Sequence, residues 1–340
     1  MNKSKILTGS VYSLIVILVI GLGLFIGCQP ARKQLTQEEK GLKPQTVLEK
    51  ENIKKHIKIL TSKELEGRRA GTSGDGETVL YLAQELKKMN LKPLGKNTTY
   101  FQTFHLPLTG LKWEDNRLVY YLINEKSKLL TDNVLALLES PVRPGEYIII
   151  SAHHDHLGSL DNQLYPGAND NASGVAAVLE MARVLKSKEH LPYSVIIAFW
   201  GGEEMGLLGS SYFVENPVVD PAQVRMVINL DSIGSGADND FIIWNGDAGK
   251  IVQGIYSHLQ ELEGGEFVLE NTTQNSSDHK PFSQAQIPAI TILAANWLNK
   301  NHTSLDNQVL INYDKIFFLA KNLIDYLTSE DIVNLLESNR

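Results

Sequence analysis

The chain has 340 residues, 43% hydrophobic and 21% charged, and shows no internal repeat, which excludes a disordered chain, a collagen or a repeat array. A formal net charge of -7 provides no basic field for a nucleic acid, so none is expected as partner. One cysteine excludes an internal disulfide, a CxxC redox pair and a cysteine-rich zinc site, so any metal must be held by His, Asp and Glu.

That cysteine, Cys28, ends an uncharged run from Val11 to Gly27 that follows Lys3 and Lys5. A positive start, an apolar run and a small residue before the break read as an export signal over residues 1–27. The stretch Leu24-Phe25-Ile26-Gly27-Cys28 resembles the lipobox of bacterial lipoproteins, with Phe25 where that motif usually has Leu. The resemblance implies a lipid anchor at Cys28 and a membrane-anchored protein facing the periplasm or cell exterior. The run is close to the ~18 residues of a membrane-spanning helix, so an uncleaved anchor is the competing reading, with a plain buried segment behind it. Residues 28–44, polar with Pro30 and Pro44, read as a tether, and residues 45–340 as one large domain.

Along that domain, apolar periodicity predicts helices around residues 47–60 and 79–86, the second entered through a turn at Gly71–Gly76. Strand-like runs follow at 100–106, 118–123 and 134–138. Three continuous apolar runs, Tyr147–Ala152, Ser194–Trp200 and Met226–Leu230, have the content of strands buried on both faces. A strong helix is expected at Ala172–Lys186, strands at Phe241–Trp244 and Ala289–Leu293, and helices at Ile251–Glu263 and Tyr313–Leu327. Buried strands alternating with helices mean an α/β fold, three layers with a largely parallel mixed central sheet.

Ligands of such sheets gather beyond the carboxyl ends of the strands, and here those ends carry the chemistry. His153-His154-Asp155-His156 follows the first buried strand, Gly201-Gly202-Glu203-Glu204 the second and Asp231 the third, while Gly167-Ala168-Asn169-Asp170-Asn171 opens the helix near Ala172. Carboxylates gathered at one edge repel one another unless a cation neutralises them, so a divalent metal site is expected. Two ions sharing a carboxylate are within the supply of donors. The Glu203-Glu204 pair suits a division of labour, one binding metal and one facing water. HExxH and GxSxG are both absent, and without a thiol in the exported part a cysteine hydrolase is excluded.

Five segments in order resemble the co-catalytic zinc aminopeptidase family: Ser151-Ala152-His153-His154-Asp155-His156-Leu157-Gly158, Gly167 to Gly174, Gly201 to Glu204, Asn229-Leu230-Asp231 and His302-Thr303-Ser304-Leu305-Asp306. The similarity runs from about Leu65-Glu66-Gly67-Arg68 to Asp306. That family contains secreted bacterial leucyl aminopeptidases and is related to glutamate carboxypeptidases and glutaminyl cyclases. The resemblance implies a zinc-exopeptidase fold, two Zn2+ per chain and peptide substrates with a free N-terminus. It implies that Asp170 bridges the ions, that His153 and Glu204 complete one, and that Asp231 and His302 complete the other. Glu203 is then the general base and Asp155 orients His153. The alternatives are a cyclase or carboxypeptidase relative, and a metal-free binding module on the same fold. His154 and His156 read equally as ligands or as ordinary buried residues, and His279 as lining the pocket.

Overall fold

In this computed structural model, which describes residues 47–246, 249–271 and 276–339, the expected signal, Cys28 and the tether lie outside the described residues. The described chain opens with helices α1 (Lys50–Leu60) and α2 (Ser73–Lys88). Strands β1 (Lys92–Pro93), β2 (Phe101–His105), β3 (Leu108–Glu114), β4 (Arg117–Asn124) and β5 (Leu130–Leu138) lead to β6 (Tyr147–His153). The short ribbon β7 (Gly158–Leu160) and β8 (Gln163–Tyr165), then a wide turn over Ala168–Ser173, precede α3 (Gly174–Lys186) and β9 (Ser194–Trp200). The remainder is α4 (Leu208–Glu215), β10 (Val224–Leu230), β11 (Asp240–Asn245), α5 (Lys250–Gln260), β12 (Glu266–Asn271), α6 (His279–Gln284), β13 (Ala289–Ala294), α7 (Tyr313–Leu327) and α8 (Glu330–Glu337).

The three apolar runs become β6, β9 and β10, the centre of a sheet ordered β1-β5-β9-β6-β10-β13-β11-β12, with β2 also paired to β5. Strands β9, β6, β10 and β13 are mutually parallel, whereas β5 and β11 flank them antiparallel, so the sheet is mixed and largely parallel at its centre, as expected. Successive side chains point to opposite faces, and both faces are covered. Ile148, Ile150, Ile197 and Phe199 face a core shared with α1, α2, α3, α5, α7 and α8. Ile149, Ile196, Ala198 and Trp200 face the smaller core closed by Phe213 of α4 and Phe282 of α6. The three-layer α/β/α architecture follows directly from this alternation.

Helix α3 lies deepest, and its one buried carboxylate, Glu180, is matched by Arg183 at 2.6 Å and the Glu49 N–H at 2.7 Å. Helix α2 starts inside the glycine-rich stretch rather than after it. Asp75 in its first turn accepts the Gly71 N–H at 2.9 Å and the Thr131 hydroxyl at 2.7 Å, which ties the helix entry to the sheet. Strand β3 was not expected. It pairs antiparallel with β4 across a turn in which Asp115 and Asn116 both have positive φ, the geometry of a tight two-residue hairpin.

Candidate metal centre

Four parallel strands deliver their carboxyl ends side by side. His153 is the last residue of β6, Glu203 and Glu204 sit in the turn after β9, Asp231 follows β10, and His302 lies in the loop after β13. Asp170 reaches the same place from the turn ahead of α3, and its neighbours explain how it is held. Asn171 donates to the Leu230 carbonyl at 2.8 Å and accepts the Gly174 N–H at 2.9 Å, while Asn169 accepts the Gly234 N–H at 2.7 Å. Asp306 accepts the N–H groups of Asn169 and Asp170 at 2.7 and 3.0 Å. Two asparagines and a distant aspartate thus absorb the backbone's hydrogen bonds and leave the Asp170 carboxylate to face the cleft.

The donors fall into two groups that share Asp170. His153 Nε2 lies 3.3 Å from Asp170 Oδ1 and 3.4 Å from Asp231 Oδ1. On the other side, His302 Nε2 lies 3.3 Å from Asp170 Oδ2 and 2.9 Å from Glu204 Oε2. The structure therefore brings together all five residues expected as metal donors but groups them differently: His153 stands with Asp231, and His302 with Glu204. The resemblance had implied His153 with Glu204 and Asp231 with His302. Strand order is the reason. β6 lies between β9 and β10, and its terminal imidazole turns toward the β10 side, which leaves Glu204 to the imidazole arriving from the last loop.

The surrounding bonds fix these donors. A carbonyl only accepts, so the contacts of His153 Nδ1 with the Asp155 carbonyl at 3.2 Å and of His302 Nδ1 with the Leu118 carbonyl at 2.8 Å put the hydrogen on Nδ1. In the neutral rings Nε2 then offers its lone pair to the cleft. Asp155 touches His153 through its carbonyl, and its carboxylate lies 3.8 Å from the ring. That carboxylate accepts the N–H groups of Glu203 and Glu204 at 3.0 and 3.4 Å, so it also orients the glutamate turn. Ser277 donates to Asp231 Oδ2 at 2.7 Å.

The field of the site is strongly negative. Burial alone lowers the affinity of His153 for a proton, yet Glu203 and Asp231 hold it well above its ordinary value; Glu204 and Asp170 do the same to His302. Burial pushes the Glu203 carboxyl well above the usual range; His153 opposes this, and Asp278, Asp231 and Glu204 add to it. Imidazoles kept charged by surrounding carboxylates are what a cation site looks like when protons stand in for the cation.

Other expectations resolve individually. His154 is buried against Asp75 at 3.1 Å, away from the donor groups. His156 places Nδ1 2.7 Å from Glu204 Oε1, and it forms with Asp170 and Glu204 a further group whose donor atoms lie within 4.8 Å of one another. His279 does not line the cleft; it is buried and contacts the Thr291 hydroxyl at 2.9 Å. Sequence reasoning assigned no role to Arg68, whose fully buried guanidinium donates to the carbonyls of Leu60, His154, Pro166 and Gly167 and so joins the His153 and Asp170 loops. Nor did it single out Asn301, whose amide donates to Asp170 Oδ2 at 2.5 Å. Arg117, at the turn between the unexpected β3 and the expected β4, carried no signal at all. The donors open onto a cleft of about 330 Å³, walled by Leu207, Trp244, Leu293 and Trp297 with Arg117 at its side.

Known proteins share sequence and fold with this chain. Aminopeptidase YwaD of Bacillus subtilis is 28% identical over 200 residues, 55% of this chain and 42% of that protein. The probable lipoprotein aminopeptidase LpqL of Mycobacterium tuberculosis is 42% identical over 93 residues, 27% of this chain and 18% of that protein. The chain thus spans less than half the length of these curated relatives. BSAP, a zinc aminopeptidase from Bacillus subtilis, superposes with a TM-score of 0.67 at 17% identity, over 84% of this chain and 97% of that one, and shares the fold. The profile of Peptidase family M28 matches residues 133–327, more than half of the chain, and the chain belongs to that family.

Proposed function

We propose that the chain is a metallo-aminopeptidase that holds two zinc ions and releases N-terminal residues from peptides. The observation that carries this is the sharing of Asp170 between two donor groups, with Glu203 beside them. The residues fit the group. Two ligands each about 2.0–2.2 Å from one zinc stand roughly 3–4 Å apart, and the imidazole-to-carboxylate distances here are 2.9 to 3.4 Å. His153, Asp170 and Asp231 would hold one ion; Asp170, Glu204 and His302 the other. His302 suits this role better than His156. If His156 bound through Nδ1, its hydrogen would move to Nε2, which is buried with no partner.

When bound, the ions acidify a water and polarise the scissile carbonyl. Glu203 takes the proton of the attacking water and passes it to the leaving amine, a role that suits a carboxyl whose proton affinity is raised by burial. Asp155 keeps Glu203 in place through its backbone N–H. The acidic rim receives the free α-amino group of the peptide. Outside the catalytic domain, residues 1–27 serve as a lipoprotein-type signal and residues 28–44 as a tether, with the mature protein exported and anchored to a membrane through Cys28. The lipoprotein relative supports this reading.

Glu203→Gln is expected to keep its metal and lose nearly all turnover, whereas Asp170→Ala loses both, measured by metal analysis and hydrolysis of aminoacyl substrates with and without chelator. A Glu203→Gln enzyme with the parental rate would remove Glu203 as the base. A metal-to-protein ratio near one, with cyclisation of glutaminyl peptides, would replace the peptidase by a cyclase.

A further inference from the structure

The hairpin β3–β4 brings a cation to a cleft otherwise built from carboxylates. Arg117 is the first residue after the Asp115-Asn116 turn, and the next residue, Leu118, contacts His302 through both backbone groups. The backbone beside Arg117 is therefore tied to His302. Its guanidinium donates to Asn301 Oδ1, lies 6.0 Å from the centre of the Trp297 ring, and has a buried Nε with no partner. Among the described residues no carboxylate lies within ion-pair distance of it. Lys315, another cation drawn into the fold, by contrast meets Asp240 at 2.5 Å. Once two divalent ions balance Asp170, Glu203, Glu204 and Asp231, the guanidinium is the uncompensated charge of the cleft.

We propose that Arg117 receives a carboxylate of the substrate, and that the enzyme acts on short peptides, dipeptides foremost, whose C-terminal carboxylate reaches it. This rests on the peptidase reading of the cleft. The reach is short: Asn301 bonds Arg117 with one end of its amide and Asp170 with the other, so one amide group separates the guanidinium from the shared carboxylate. In a dipeptide the terminal carboxylate lies one residue beyond the scissile carbonyl, a span of about 3.8 Å. The volume of about 330 Å³ is at the small end of the ~300–1,000 Å³ range of small-molecule sites and leaves room for little more. A planar guanidinium steadied by an aromatic face and an amide is organised to meet a carboxylate with two parallel hydrogen bonds.

The test is kcat/KM of the zinc-loaded enzyme on Leu-Gly, Leu-Gly-amide, Leu-Glu-amide and Glu-Gly-amide, for the parent, Arg117→Lys and Arg117→Met. The expected result is a preference for Leu-Gly over its amide of roughly 10- to 100-fold, the worth of one or two charge-assisted hydrogen bonds. This ratio should fall to within about threefold in Arg117→Met and to an intermediate value in Arg117→Lys. Preference for either acidic amide, lost in the same variant, would support the carboxylate contact and assign it to a side chain. Equal rates across the parent's panel, or a ratio unchanged in Arg117→Met, would overturn the proposal. Calorimetric binding of the four peptides to Glu203→Gln reads the same preference without turnover. Carboxylate-dependent binding with no hydrolysis by the parent would sink the peptidase reading and leave only the contact between Arg117 and a carboxylate standing.

Discussion

His302 donates its Nδ1 hydrogen to the carbonyl of Leu118, so a proposed metal donor in the last loop takes its orientation from a hairpin that precedes it by 184 residues. Leu118 is itself immobilised, being fully buried with Leu157 and Tyr165. Replacing residues 108–124 by a short Gly-Ser link would free the ring to rotate. Loss of such an outer hydrogen bond typically costs 10–100-fold in metal affinity. Competition titration with a chromogenic chelator should show one of two binding events weakened by that amount and the other nearly unchanged.

The loop of Asp170 depends on a different remote group. Asp306→Ala removes the acceptor of two buried N–H groups and should destabilise the protein by about 2–4 kcal/mol, with metal binding weakened in parallel. Asp306→Asn keeps one acceptor oxygen and should recover part of both. Urea unfolding of the metal-free protein separates the stability loss from the metal contribution.

Arg68 links α1 and the two donor loops through four carbonyl contacts, and burial pushes its proton affinity down to about 10, against the pull of Asp306 and Asp170. It remains charged at neutral pH. Arg68→Met matches its volume but leaves the Leu60, His154 and Pro166 carbonyls in a dry interior without that donor, while Gly167 keeps the Ala172 N–H. The expected loss is on the order of 3–5 kcal/mol, read from urea unfolding, and an effect under 1 kcal/mol would show that the loops hold themselves.

Stability should also carry an acid-sensitive contribution from His56, which is buried beside the Tyr81 hydroxyl at 2.5 Å. Burial pushes this imidazole down to about 4 in the folded protein, with Glu85 the first group opposing it, whereas in the unfolded chain it titrates near 6.5. The unfolded state therefore binds the proton first as pH falls. The contribution is fully present above pH 6.5 and disappears as pH drops toward 4. Over that interval His56→Phe should gain about 2–3 kcal/mol relative to the parent, measured as the change in their unfolding free-energy difference.

The sheet was legible because Tyr147–Ala152, Ser194–Trp200 and Met226–Leu230 are apolar without interruption, a pattern that only strands covered on both faces require. The residues after them were legible for the same reason: a buried parallel strand has one end from which polar groups can emerge. Their grouping was not. Chain order places Glu204 nearer His153 than Asp231 is, whereas the choice of partner is set by strand order and ring orientation. The run at 118–123 was legible as a strand, but its partner escaped because Leu108–Glu114 has a half-exposed, irregular face and no clean alternation. Arg117 gave no sign because a lone arginine beside a turn normally lies in solvent; its place in the cleft comes from the docking of Leu118 against His302.

Asp306 meets the backbone of Asp170 across 136 residues of chain. A nascent or truncated polypeptide that stops before residue 302 could still pair β9, β6 and β10, and Asn169 and Asn171 could still brace the turn, yet the N–H of Asp170 would lack its Asp306 acceptor. Contacts this distant in sequence are among the slowest to form. If the shared carboxylate holds metal as proposed, tight capture is a late event in the life of the molecule, and the metal content of a preparation counts the chains that have finished folding.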